Sequence, residues 1–120
     1  MLIRLFILGV LILSGLTHAS AQGHFAQFKT SGLDNEQECR DFENFLRDET
    51  AVQQVRSESR SGNVLLISSQ PIAFDAAQFE LWCMASGLTM KCFRTGVVGV
   101  DRIERFTNDC DLSPSAPSRE

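Results

Sequence analysis

The sequence lacks the short motifs that accompany the commonest enzyme mechanisms. It has no Gly-x-Ser-x-Gly elbow for a nucleophilic serine, and His24 is the only histidine after the first 21 residues. Gly96 and Gly99 stand too close together for a phosphate-binding loop, and no helix pattern follows them. Asp109 and Asp111 fall in a predicted flexible tail, where paired acid–base carboxylates are not expected. We therefore expect no catalytic residue and no enzyme.

Cysteines at Cys-x-x-Cys spacing are also missing, and with them the usual thiol metal site. A metal site would have to be assembled from separated soft or nitrogen ligands, which suit copper and zinc. The candidates are Cys39 and Cys83 as reduced thiolates, with Met84, Met90 or His24 nearby. Because two of these side chains fall on predicted buried faces, we expect no metal ligand and no cofactor.

Positive charge is scarce and scattered. Asp and Glu number 15 against 11 Lys and Arg, which gives a net charge of −4. Since no basic patch exists, nucleic acid and anionic lipid are excluded as expected partners. Another protein is the partner we expect.

The longest apolar run, Leu5 to Leu13, stands at the start of the chain behind Arg4. It is shorter than the about 20 residues of a stable membrane span. The small residues Ala19-Ser20-Ala21 that follow fit a signal-peptidase site. Residues 1–21 are therefore predicted to be a signal peptide of an exported protein, periplasmic or extracellular, without membrane contact after cleavage. A retained N-terminal anchor is the alternative.

All four cysteines, Cys39, Cys83, Cys92 and Cys110, lie in the mature part of the chain. An even number of cysteines in a small exported domain predicts two disulfides, and four cysteines allow three pairings. Residues 22–112 are predicted to form one domain. The Ser- and Pro-rich residues 113–120 are predicted to be a disordered tail.

The mature sequence alternates between strand and helix patterns. Asp34 is the predicted N-cap of a first helix, with Gln37 completing a capping box. The apolar residues Cys39, Phe42 and Leu46 recur on one face of that helix, which is expected to end near 48–50. The other predicted elements are a strand at 24–30, a weak strand within 50–59, a strand at 64–68, a helix between N-cap Asp75 and Gly87, and a strand at 88–94.

This order, β-α-β-β-α-β, predicts an α+β ferredoxin-like sandwich. A four-stranded antiparallel sheet would carry both helices on one face and leave its other face wetter. An unrelated secreted α+β fold with the same elements is the alternative. In the ferredoxin-like arrangement the start of the first helix lies near the end of the second. We therefore expect a disulfide between Cys39 and Cys83, with a second between Cys92 and Cys110 that pins the tail to the fourth strand.

The segment Gly32-Leu33-Asp34-Asn35-Glu36-Gln37-Glu38-Cys39 resembles the start of a heavy-metal-associated domain. That family carries Gly-Met-x-Cys-x-x-Cys between its first strand and first helix. Aligned on the glycine, Leu33 takes the methionine position, and Asn35 and Glu38 take those of the two metal-binding cysteines. The resemblance implies the family's scaffold without its metal-carrying activity.

Together these features predict a small exported, disulfide-stabilised binding or accessory module without catalytic activity. A periplasmic copper- or zinc-binding protein is one alternative, and a thiol–disulfide protein is another.

Overall fold

The computed structural model describes residues 23–104, 106 and 110. It contains, in order, β1 (His24–Ser31), α1 (Glu36–Thr50), β2 (Gln54–Ser57), β3 (Asn63–Ser68), α2 (Ala76–Ala85) and β4 (Thr89–Val97). The predicted signal peptide at 1–21 and tail at 113–120 lie outside the described residues. Within the described part of the chain, no helix is long and apolar enough to span a bilayer.

The four strands form one antiparallel sheet in the order β2-β3-β1-β4. Both helices pack on the same face of this sheet. Phe28 of central strand β1 contacts Phe42 of α1 and Phe79 of α2, with ring centroids 6.5 and 5.4 Å away. The predicted ferredoxin-like α+β fold is therefore confirmed. The face that carries the helices is called the inner face below.

The first helix begins one residue later than the sequence indicates. Asn35, not Asp34, is the N-cap, and its Oδ1 accepts a hydrogen bond from the Glu38 backbone N–H at 2.9 Å. Glu38 Oε2 in turn accepts from the Asp34 N–H at 2.8 Å. Asp and Asn cap helices about equally well. Glu38 stands three residues after Asn35, the position from which a Glu side chain bonds back toward the start of the helix in a capping box. Glu38 therefore takes the place that the sequence predicted for Gln37.

Edge strand β2 is attached to α1 by two charged side chains. Arg47 donates to the backbone carbonyls of Gln53 at 2.9 Å and Val55 at 3.1 Å. Glu43 accepts from Ser57 through both its backbone N–H, at 3.0 Å, and its hydroxyl, at 2.7 Å. These bonds give a weak four-residue strand a fixed position beside the helix.

The turn between β2 and β3 lies against the end of β1. Gly62 has φ +74°, a left-handed conformation that glycine adopts without strain. Its carbonyl accepts from the Thr30 backbone N–H at 2.7 Å. A Cβ at this position would overlap the Thr30 carbonyl oxygen, so the close approach itself requires glycine.

Strand β4 departs from simple alternation at Cys92. The sequence predicts Met90 and Cys92 on one side of the strand and Phe93 on the other. The pairing with β1 instead shifts between Gln27 and Lys29, and Cys92 has φ +63°. This β-bulge adds one residue to β4, so that Met90 and Phe93 both pack against the core of the inner face.

The outer face of the sheet is covered along β1, contrary to the expectation of a wetter face. All six residues from Phe25 to Thr30 are buried. After β4 the chain turns back and runs over the outer face as a segment that we call the strap, residues 98–106, of which 98–104 and 106 are described. Phe106 within it is buried. The sequence shows that Val100, Ile103 and Phe106 are apolar, but not that only Phe106 is buried, while Val100 and Ile103 remain exposed.

Candidate functional site

The loop before α1 is the segment whose sequence resembles the start of a heavy-metal-associated domain. Asn35 and Glu38, which stand at the positions of the family's cysteines, both use their side-chain oxygens to cap the helix. Leu33, at the methionine position, is buried in the core. Among the described residues, no three His, Cys, Asp or Glu side chains lie close enough to hold a metal ion. The loop is therefore built as a helix cap.

A groove of about 480 Å³ lies beside this loop, between the start of α1 and the end of α2. Its apolar lining includes Leu33, Phe42 and Phe45 from the first part of the chain and Leu88, which lies between α2 and β4. Glu38 and Asp41 supply acidic groups to the same lining, so the groove combines apolar surface with negative charge.

Helix α2 carries apolar residues on its exposed side as well as on its buried side, and Glu80 is the one charged residue of the helix. Phe79, Trp82 and Cys83 face the core. Leu81 and Met84, three residues apart on the other side, remain 59% and 62% exposed. A helix on the surface of a globular domain normally carries polar residues there. We call Leu81 and Met84 the helix patch; Ala85, one turn after Leu81, lines the groove described above.

The two cysteines in the helices are not joined. Cys39 and Cys83 are both free and buried, so the predicted Cys39–Cys83 disulfide is wrong. Cys39 faces β2, because it lines a cleft with Glu43 and Ser57 on that side of α1. The side of α1 that borders the end of α2 is instead occupied by Phe42 and Phe45. The helix periodicity correctly places Cys39 on an apolar face, but not on the part of it that approaches α2.

Burial also sets the chemistry of Cys83. Desolvation by burial, together with a smaller contribution from the carboxylate of Glu80, raises the pKa of this thiol from 9.0 to about 12. Since the thiolate is the nucleophile and the metal ligand, the environment of Cys83 disfavours both roles.

The other cysteine pair is bonded. Cys92, in the bulge of β4, and Cys110, which is exposed, form a disulfide with their Cα atoms 5.2 Å apart. This bond joins the chain beyond the strap to the edge of the sheet. Of the four cysteines named as disulfide residues, the structure therefore bonds Cys92 and Cys110 and leaves Cys39 and Cys83 reduced.

The remaining candidate metal ligands are not brought together. His24 begins β1, and Met90 pairs with Thr30 near the other end of the same strand. Six residues of strand separate these ends by about 20 Å. Met84 points away from the core while Cys83, its neighbour, points into it.

Comparison with family models, with curated proteins and with solved structures returned no significant match. The features that the sequence did not reveal are the helix patch as an exposed surface and the strap. The sequence does contain an indication of the helix patch, because Leu81 and Met84 lie outside the apolar face that Phe79 and Cys83 form on α2.

Proposed function

We propose that the mature chain is an exported, disulfide-stabilised binding module that has no catalytic activity of its own. The observation that carries this proposal is the apolar exposed side of α2. Leu81 and Met84 gain nothing for the fold by facing water, and exposed apolar surface beside a groove is typical of protein–protein contact sites. A module of this kind needs a surface rather than reactive groups.

The expected partner is another protein that covers the helix patch and enters the adjacent groove. Glu38 and Asp41 in the groove lining favour a partner segment with basic residues next to apolar ones. The net charge of −4 supports a protein partner over nucleic acid or anionic lipid.

Export is supported by the leader-like sequence at 1–21 and by the disulfide between Cys92 and Cys110. Disulfides persist in the periplasm and outside the cell, and are rare in reducing compartments. We further propose, on the resemblance of residues 32–39 to the start of a heavy-metal-associated domain, that the chain uses that family's scaffold without its metal-carrying activity.

A photo-crosslinking experiment in the producing cells tests the proposal. A photoreactive amino acid at position 81 should give a discrete protein adduct, which is then identified by mass spectrometry. The same amino acid at Glu49, an exposed position on α1, is the matched control and should give none. Adding Met84→Glu to the position-81 chain should remove the adduct. Equal labelling from positions 81 and 49 would contradict the proposal.

Elemental analysis and a thiol probe separate this function from its two alternatives. The mature protein purified under reducing conditions should contain no stoichiometric copper or zinc. Without denaturant or reductant, neither Cys39 nor Cys83 should react readily with a thiol reagent, because both are buried. Bound metal would favour the metal-binding alternative, and rapid labelling would favour the thiol–disulfide alternative.

A further inference from the structure

The groove beside the start of α1 continues into the helix patch on α2. Ala85 lines the groove, and Leu81 of the patch stands one turn before it on the same helix. From the other wall, the half-buried ring of Phe45 lines the groove. The volume of about 480 Å³ is enough for more than one apolar side chain. Apolar surface therefore runs from α1 across the groove to the exposed side of α2.

The backbone at the closed end of the groove is already hydrogen-bonded. The N–H groups of Ser86 and Leu88 donate to the Cys83 carbonyl, at 3.0 and 2.8 Å, and that of Gly87 donates to the Met84 carbonyl at 3.0 Å. Both walls are helices, which bond their backbone internally. An extended peptide gains its affinity from main-chain hydrogen bonds to its receptor, whereas a helix bonds its own backbone. The groove therefore suits a helical segment better than an extended one.

The edges of the sheet do not offer an extended partner a better place. Side chains of α1 bond the backbone carbonyls of Gln53 and Val55 and the N–H of Ser57, so the β2 edge is occupied. The edge strand on the other side, β4, is interrupted by the bulge at Cys92. Both devices oppose the addition of a strand. This leaves a helix as the form of partner segment that the described surface fits.

Negative charge in the groove is not balanced by the basic residues of α1. Glu38 and Asp41 line the groove, whereas Arg40 lines the cleft on the β2 side of the helix and Arg47 donates to β2. The salt bridges of both arginines are to other carboxylates of α1. Among the described residues that line the groove, none is Lys or Arg. The two groove carboxylates accept hydrogen bonds from neutral groups only, so their charge attracts a basic partner.

The end of α2 increases this preference for positive charge. Its last turn contains no basic residue, and it ends beside the groove at Ala85. The C-terminus of a helix carries a partial negative charge, which a cation stabilises. The partial positive charge at the start of α1 is already offset by Glu36 and Glu38 in its first turn.

We propose that the groove and the helix patch together bind an amphipathic α-helix of the partner protein, with Lys or Arg beside its apolar residues. Apolar residues at three- and four-residue spacing enter the groove and cover Leu81, and the basic residues face Glu38 and Asp41. This inference rests on the proposed binding function and adds the form and the charge of the partner segment.

A designed peptide is the probe for both properties. It is fluorescein-labelled, has Leu at three- and four-residue spacing with Lys beside it, and is about 15 residues long, because shorter isolated helices are marginal in water. Fluorescence anisotropy with the mature full chain should show at least tenfold tighter binding than for a peptide with Glu in place of every Lys. A third peptide, with two central residues replaced by proline, keeps the charge and loses the helix. It should also bind at least tenfold more weakly.

Two pairs of variants locate the binding site. Ala85→Arg puts a long cation into the groove and should weaken binding of the Lys peptide at least tenfold. Ala76→Arg, at the exposed first residue of α2, should leave binding within twofold. Asp41→Asn keeps the oxygen that accepts from Gln37 but removes the charge, and should weaken binding at least threefold. Glu36→Gln removes a charge on the β2 side of α1 and is the matched control.

Three results would overturn the proposal. Equal binding of the Lys peptide and its proline version would exclude a helical occupant. Equal binding to the Ala85→Arg and Ala76→Arg proteins would exclude the groove as the site. Absence of binding between the Lys peptide and the unchanged protein would exclude both.

The crosslinking experiment at position 81 separates this inference from the function on which it rests. Protease digestion of the adduct identifies the crosslinked segment of the partner, which should have apolar residues at helical spacing with Lys or Arg beside them. A discrete adduct whose segment lacks this pattern would overturn the helical occupant and leave the binding function standing. Absence of any adduct would contradict the binding function itself.

Discussion

Single residues explain why one cysteine pair is bonded while the other is not. Cys110 is exposed and lies within bonding distance of Cys92, whereas Cys39 and Cys83 are enclosed by the core. The raised pKa of the Cys83 thiol keeps it protonated at neutral pH. Because oxidation proceeds through the thiolate, such a group persists as a thiol even in an oxidising compartment.

The pKa of Cys83 predicts a loss of stability at alkaline pH. The unfolded thiol has a pKa of 9.0 and the folded thiol one of about 12. Below pH 9 both states are protonated and the contribution to stability is complete. Between pH 9 and pH 12 the unfolded state loses its proton while the folded state keeps it, so the free energy of unfolding falls with rising pH. The slope from this group is at most about 1.4 kcal/mol per pH unit.

Urea unfolding from pH 8 to 11 measures this slope, with Cys83→Ala as the comparison. The variant is less stable at pH 8 because it leaves a cavity, but its slope above pH 9 should be smaller. Equal slopes in the two proteins would show that Cys83 is not the titrating group.

Gly96 is predicted to be necessary for the contact between the strap and Phe25. Gly96→Ala places a methyl group within 2.6 Å of two atoms of the buried Phe25 ring. The overpacking should lower the free energy of unfolding by about 1–3 kcal/mol. Thr95→Ala, an exposed change at the neighbouring position, is the control and should change it by less than about 0.5 kcal/mol. Thermal or urea unfolding that ranks the two variants equally would contradict the packing described.

At the scale of elements, the sequence predicts both helices and all four strands because each carries a local signal. The second helix begins at its predicted N-cap, Asp75, which accepts from the Gln78 N–H at 2.9 Å. The first helix begins one residue later than predicted because Asp34 and Asn35 are both competent caps. The capping preferences of Asp and Asn do not distinguish these two positions. The N-cap is Asn35 because the Glu38 side chain then bonds back to the Asp34 backbone N–H.

The bulge in β4 shows a second limit of local patterns. Alternation of Met90, Lys91, Cys92 and Phe93 reads as an uninterrupted strand. The extra residue at Cys92 is visible only in the pairing with β1, where Gln27 and Lys29 have partners and the register shifts between them. Two large side chains, Met90 and Phe93, are thereby directed into the same core. A pattern within one strand contains no information on the register of its neighbour.

The link between α1 and β2 predicts unequal effects of two arginine substitutions on the same helix. Arg47→Ala removes two hydrogen bonds to the backbone of the edge strand and should lower the free energy of unfolding by about 1.5–3 kcal/mol. Arg40→Ala breaks an exposed ion pair with Glu36, at 3.7 Å, and an exposed hydrogen bond to Gln37 Oε1, at 3.0 Å, and should cost less than about 1 kcal/mol.

Urea unfolding measures these free energies, and hydrogen exchange of the β2 backbone amides is a second, local measurement. The strand should lose protection in Arg47→Ala and keep it in Arg40→Ala. If both variants retained the protection of β2, the arginine bonds would not be what holds the strand.

At the scale of the whole molecule, the sheet is covered on both faces by different means. Helices cover the inner face through aromatic packing around Phe28, and the strap covers the outer face through backbone hydrogen bonds to Arg94 and Gln27. The order of elements along the chain is enough to predict the helices on the inner face, because the alternation of strands and helices restricts the possible topologies. The covering of the outer face by the strap depends on contacts between β1 and residues about 77 positions away in the sequence, such as Gln27 with Glu104, which no local pattern predicts.

The same separation explains the outcome for the cysteines. Cys92 and Cys110 are 18 residues apart, and their bond was predicted to pin the tail of the domain to the fourth strand. The pairing of Cys39 with Cys83 depended on the rotation of α1 about its own axis. Spacing along the helix fixes that rotation only to within the width of its apolar face, which also contains Phe42 and Leu46.

Peptide mapping of the native redox state tests the central claim, that one disulfide holds the strap while the helix thiols stay reduced. The mature protein is denatured and alkylated without reductant, then reduced and alkylated with a second reagent of different mass. Cys39 and Cys83 should carry the first label, and Cys92 and Cys110 only the second. A first label on Cys92 or Cys110, or its absence from Cys39 and Cys83, would contradict the account.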